Sequence, residues 1–80
     1  MQGIKLIIDG IEVIISDDMC YRLIYFDWDI DELEQGWSKI FPDAKAIEIT
    51  DCEDKYIEVK VDGEYYVLDE TGEIIEKGRL

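Results

Sequence analysis

Carboxylates are the only reactive side chains this sequence supplies in number. Asp27, Asp29, Asp31, Glu32 and Glu34 place five within eight residues, with no Lys or Arg among them. Asp51, Glu53 and Asp54 form a second group, Asp69, Glu70 and Glu73 a third, and Asp17 and Asp18 stand together after the first apolar pattern. Two carboxylates can hydrolyse a glycoside when one acts as acid and the other as base or nucleophile. With 21 acidic residues, however, any fold brings some pair to a suitable separation, so such a pairing says nothing about catalysis. Nucleophilic catalysis needs a base beside the nucleophile. The chain has no His, and Ser16 and Ser38 fall at a strand end and on a helix. The expectation is a protein that is not an enzyme and uses no cofactor.

Asp27-Trp28-Asp29-Ile30-Asp31 alternates oxygen donors as the start of a calcium loop does. The sixth position of that loop is Glu32, where Gly makes the sharp turn, and the twelfth is Ser38, where a bidentate Glu belongs. No metal is expected, and these Asp residues read as a helix start. Cys20 and Cys52 lack the spacing of a zinc or redox motif and are expected to be free thiols in a reducing compartment. No apolar run approaches membrane-spanning length. A cytoplasmic location, in a bacterial cell or a phage-infected host, is the expectation.

The charge balance removes further classes. Eight basic residues against 21 acidic ones leave a formal charge of −13. Direct nucleic-acid binding needs a basic footprint, and none of Lys5, Arg22, Lys39, Lys45, Lys55, Lys60, Lys77 and Arg79 adjoins another. An anionic membrane surface repels the chain as well. What remains is a protein that binds something basic.

The elements that must hold these carboxylates follow from periodicity and turn chemistry. Eighty residues, nearly half of them hydrophobic, make one domain over 1–80. Gly3–Ile8 and Ile11–Ser16 flank Asp9-Gly10, a dipeptide suited to a two-residue hairpin turn. Ile8 then faces Ile11, Leu6 faces Val13 and Ile4 faces Ile15, leaving Lys5, Ile7, Glu12 and Ile14 on the other side. Asp62-Gly63 repeats the device between Lys55–Val61 and Glu64–Asp69. There Ile57, Val59 and Val61 share a face with Tyr66 and Leu68, while Tyr56, Glu58, Lys60, Tyr65 and Val67 fall opposite. Glu70-Thr71-Gly72 turns the chain into a last strand at Glu73–Lys77, and Lys45–Thr50 alternates as another strand.

Cys20–Phe26, with its Tyr, Leu, Ile, Tyr and Phe, suits a strand buried on two faces, and a short helix capped by Ser16 is the alternative. Ile30, Leu33, Trp37, Ile40 and Phe41 lie at helical spacing over Ile30–Phe41, with Asp29 and Glu32 at its start and Pro42 at its end. The expected fold class is therefore α+β, a mainly antiparallel sheet with one amphipathic helix in the order β-β-β-α-β-β-β-β.

The acidity thus falls on turns and a helix start of a rigid frame, where it can present rows of negative charge to a basic groove. Size, acidity and compact α+β pattern together resemble the nucleic-acid mimics among small phage inhibitors of bacterial defence, including anti-CRISPR and anti-restriction proteins. The resemblance implies an inhibitor that occupies the nucleic-acid channel of a defence effector or another basic protein. It rests on no shared motif, so the expected partner-binding residues come from the charge clusters alone: Asp27, Asp29, Asp31, Glu32, Glu34, Asp51, Glu53, Asp54, Asp69, Glu70 and Glu73. The alternative is a generic interaction module, such as an immunity protein, antitoxin or assembly subunit, using a sheet edge or apolar face. For it Ile7, Ile14 and Val67 matter, since they need a second layer or a partner to cover them, and a monomer and a homodimer are both open.

Overall fold

The computed structural model describes residues 3–8 and 10–79, without the side chains of Ile8, Ile30, Asp31, Leu33, Glu34 and Arg79. Strands β1 (Ile4–Ile8) and β2 (Ile11–Ile15) pair antiparallel with Ile4 opposite Ile15, Leu6 opposite Val13 and Ile8 opposite Ile11. Alternation turns Ile11, Val13 and Ile15 into the core, with Leu6 packed against it. The expected Asp9-Gly10 turn includes Asp9, which lies outside the described residues.

After β2 the chain enters a helix, α1 (Asp17–Tyr25), so the strand expected over Cys20–Phe26 is replaced. The composition suits a strand, but the local hydrogen bonding decides otherwise. Ser16 Oγ accepts the Met19 backbone N–H at 3.2 Å, and Asp17 and Asp18 occupy the first turn, where the helix dipole favours negative charge. Met19 and Leu23, four residues apart, then bury on one side. A strand here would have needed cover on both faces, which a domain this small does not provide. Helix α2 (Ile30–Ile40) follows, capped by Asp29, whose Oδ1 accepts the Glu32 N–H at 3.3 Å. Trp37 is buried, as is Phe41 at the C-cap, whose ring lies 4.8 Å from that of Tyr66.

Strands β3 (Ala46–Cys52), β4 (Tyr56–Val61), β5 (Glu64–Asp69) and β6 (Ile74–Arg79) complete a six-stranded sheet in simple sequence order. All neighbours are antiparallel except β2 and β3, which run parallel with Val13 opposite Ile47. A parallel pair needs a long crossover, and α1 and α2 together supply it. The observed order is β-β-α-α-β-β-β-β, a small α+β domain with a mostly antiparallel sheet. Ile47, Ile49, Ile57, Val59, Val61 and Leu68 form one core with Met19, Leu23, Trp37 and Phe41, so both helices cover the same side of the sheet.

Two irregularities re-aim side chains. In β3 the pairing slips between Ile49 and Asp51, which stand opposite Val59 and Glu58, leaving Thr50 as the extra residue. Strict alternation after Ile47 and Ile49 would have sent Asp51 into the core. The bulge instead sends in Cys52, which is fully buried, and keeps the carboxylate out. Between β4 and β5, Asp62 and Gly63 both hold positive φ, 48° and 90°, and the Asp62 carboxylate accepts the Lys45 N–H at 3.3 Å. The last strand begins at Ile74, one residue later than expected, because Glu73 closes the preceding turn through its own backbone.

The uncovered side of the sheet carries Lys5 and Glu12, paired at 3.2 Å. Of the three aliphatic residues expected there, Val67 is buried, Ile14 is half-buried and Ile7, on edge strand β1, is 69% exposed.

Candidate functional site

The acidic clusters divide into carboxylates the protein uses internally and carboxylates it leaves at the surface. Asp51 and Glu53 belong to the first kind. The bulge and the turn after β3 bring them beside α1, where Arg22 Nη1 lies 3.0 Å from Asp51 Oδ1 and 2.9 Å from Glu53 Oε2. Arg22 Nε also lies 3.6 Å from Asp18, one helical turn earlier. Asp51 Oδ1 further accepts the Cys52 N–H at 2.9 Å. Trp28, in the connection between the helices, donates from Nε1 to the Glu53 carbonyl at 2.6 Å and fastens the same turn from another side. Cys52 sits in this negative surrounding, and its thiol is pushed up to about 11 by burial first and by Asp51 and Glu53 next, against the opposing pull of Arg22.

Asp69 is also structural. Its Oδ1 accepts the Thr71 hydroxyl at 2.6 Å and the N–H groups of Thr71 and Glu73 at 2.9 and 3.0 Å, which closes the turn between β5 and β6. These bonds, that from the Thr71 hydroxyl foremost, hold its carboxyl below the ordinary range.

The remaining described members are exposed. Asp27 follows the C-cap of α1 at φ 60°, Asp54 stands in the turn after β3, and Glu73 leads into β6. The backbone of Asp31 and Glu34 lies in α2, and their side chains are outside the described residues. The structure does not gather all clusters into one row. It does bring the helix start and the β5–β6 turn together: Asp29, Glu32 and Glu70 line a cleft of about 450 Å³ between α2 and that turn. Its walls include Trp28, Trp37 and Ile40 on the helix side and Leu68, Thr71 and Gly72 opposite, with Lys39 as the cation at its edge. Buried Trp37 has an Nε1–H with no acceptor among the described residues. Glu70 is 3.6 Å from Lys55, both largely exposed, a geometry that contributes little.

Sequence reasoning missed Arg22 as a part of this arrangement, and of the two Trp it offered Trp28 as an aromatic anchor and Trp37 only as a member of the apolar helix face. A helical reading of Cys20–Phe26 would have signalled Arg22, since it sets Asp18 and Arg22 at i and i+4. The contacts of the two Trp carry no such signal, because their neighbours come from parts of the chain far along the sequence.

Among the described residues, no group of three or more acidic or thiol side chains is placed to share a metal ion, and no helix is long and apolar enough to cross a membrane. No family model matches the chain, and no curated protein or solved structure compared with it does either.

Proposed function

We propose that this chain is a non-enzymatic binding protein that presents a fixed acidic surface to a basic partner, itself a nucleic-acid-binding protein. The observation that carries the reading is the cleft rimmed by Asp29, Glu32 and Glu70. Three carboxylates from two distant parts of the sequence share one concave, Trp-walled site, whereas the more internal pair, Asp51 and Glu53, is satisfied by Arg22. An acidic site beside the half-buried Trp28 suits a guanidinium or ammonium group, which gains from the carboxylates and from contact with that indole. The two serines support a non-enzymatic role: Ser16 caps α1, and Ser38 donates within α2 to the Gln35 carbonyl at 3.2 Å.

In its sharpest form the reading is nucleic-acid mimicry, in which the chain fills the basic channel of a defence effector in the cytoplasm and acts as its inhibitor. The test is capture of partners from a bacterial lysate at about 50 mM and about 500 mM salt, since attraction between exposed charges is screened within about 10 Å at 0.1 M. Recovery of a basic, nucleic-acid-binding protein at low salt only, weakened by Asp29→Asn, Glu32→Gln and Glu70→Gln together, supports the reading. Capture that ignores both salt and these substitutions overturns it.

One observation favours a second reading, an interaction module that pairs through a sheet edge. Edge strand β1 exposes Ile7 and Ile4 beside an unpaired ladder of backbone groups. Introducing Pro at Ile7 blocks pairing there without touching the cleft, so loss of partner binding in that variant selects this route.

A further inference from the structure

The outer face of α1 plays no part in the cleft. Tyr21, Ile24 and Tyr25 lie at the i, i+3, i+4 spacing that groups side chains on one side of a helix, away from buried Met19 and Leu23. They are 74, 81 and 74% exposed. Single apolar residues on a surface need no explanation, but three large ones side by side on a helix of nine residues form a contiguous patch. Tyr is among the residues that dominate binding energy when buried at an interface, because its ring is large, rigid and tipped with a hydroxyl.

The charges around the patch narrow what can cover it. Asp18 in the first turn and Asp27 just beyond the last, both exposed, bracket it along the chain. The one cation of α1, Arg22, is shared between Asp51 and Glu53 at 3.0 and 2.9 Å and Asp18 at 3.6 Å, so it offsets only part of the negative charge around the patch. A second copy would bring the same carboxylates and another −13 of charge against this rim. An anionic bilayer meets the same repulsion. A protein surface with an apolar stripe between Lys or Arg side chains complements both the centre and the rim.

We infer that the Tyr21–Ile24–Tyr25 face of α1 is an apolar anchor that docks on a cationic, amphipathic surface of the partner protein. The inference rests on the reading above that the partner is basic. It adds a division of labour in which carboxylates steer and orient the encounter and burial of the α1 face slows dissociation.

Two fluorescein-labelled helical peptides of equal length and equal Lys content test it against the full chain. In one a Leu stripe runs between the Lys side chains, and in the other Ser replaces every Leu. The Leu peptide is expected to bind the unmodified chain at least about ten-fold more tightly than the Ser peptide by fluorescence polarisation. The double variant Tyr21→Ser with Ile24→Ser is expected to erase that difference and keep the weak, salt-sensitive binding of the Ser peptide, with an unchanged circular dichroism spectrum. Equal binding of both peptides to the unmodified chain overturns the anchor and leaves the acidic reading standing. Failure of both peptides at low salt overturns the two together. Self-association abolished by the double variant, or uptake on phosphatidylcholine vesicles abolished by it, reassigns the face to a second copy or to lipid and overturns the inference.

Discussion

Arg22 and Asp51, 29 residues apart in the chain, are joined by a hydrogen-bonded ion pair of 3.0 Å from Nη1 to Oδ1. The contact ties α1 to the bulge of β3, and the same guanidinium nitrogen holds Glu53. Removing the cation leaves Asp18, Asp51 and Glu53 facing one another. Arg22→Met, which keeps much of the aliphatic stem, is expected to lower stability by about 1 kcal/mol, since each half-exposed pair is worth only a fraction of that and repulsion adds to the loss. Urea denaturation at two salt concentrations checks it: the loss shrinks at high salt and shrinks again when Asp51→Asn is added.

Neighbouring residues on α1 should behave in opposite ways. Leu23 is 1% exposed within the core, so Leu23→Ala is expected to cost about 2–5 kcal/mol. Ile24, pointing outward, is expected to change stability by no more than about 0.5 kcal/mol when replaced by Ser. Equal losses at both positions would restore the two-sided strand over Cys20–Phe26.

Asp69 makes the β5–β6 turn sensitive to acid. Its carboxyl is held low by the Thr71 hydroxyl and backbone N–H bonds, so the folded state favours the charged form. The folded pKa is below the unfolded one, so the contribution is complete above the ordinary Asp value and is lost as pH falls through the depressed folded value. Stability curves of the unmodified chain and Asp69→Asn are expected to converge at the acid end and separate towards neutral pH.

The two thiols should differ in reactivity. Cys52 is fully buried with its pKa near 11, so at pH 8 only about one part in a thousand is thiolate. Cys20 is half-buried, and its pKa is raised by burial and then by Asp17. Titration with a chromogenic disulfide reagent is expected to label Cys20 first, with Cys52 reacting fully only when denaturant opens the core.

What is legible from sequence is what neighbouring residues settle among themselves. Pairing of Ile4 with Ile15 and Leu6 with Val13 follows from alternation on either side of a short turn. The start of α2 follows from Asp29 and the Glu32 N–H three residues later. Cys20–Phe26 reads poorly because nearly every residue in it is large and apolar, so composition favours a strand while a single hydroxyl, that of Ser16, nucleates a helix. The consequence reaches the surface: read as a strand, the segment hides Tyr21, Ile24 and Tyr25, and as a helix it displays them. The acidic clusters read well as chemistry and badly as geometry. Asp51 and Glu53 look like a free pair until Arg22 arrives from another element, and Glu70 joins Asp29 and Glu32 only through the fold.

The parallel contact between β2 and β3 divides the molecule into two units, each built from strands consecutive in sequence. On one side lies the β1–β2 hairpin and on the other the four-strand meander from Ala46 to Arg79, whose pairings all close short loops. Only the seam from Glu12 to Ile14 must wait for the whole helical crossover to settle before its partners at Ala46 to Glu48 can meet it. Closing that crossover carries an entropic cost larger than that of the short loops of the meander. The seam offsets the cost of that long loop by burial, because the hairpin it joins to the meander carries Ile11, Val13 and Ile15 into the common core.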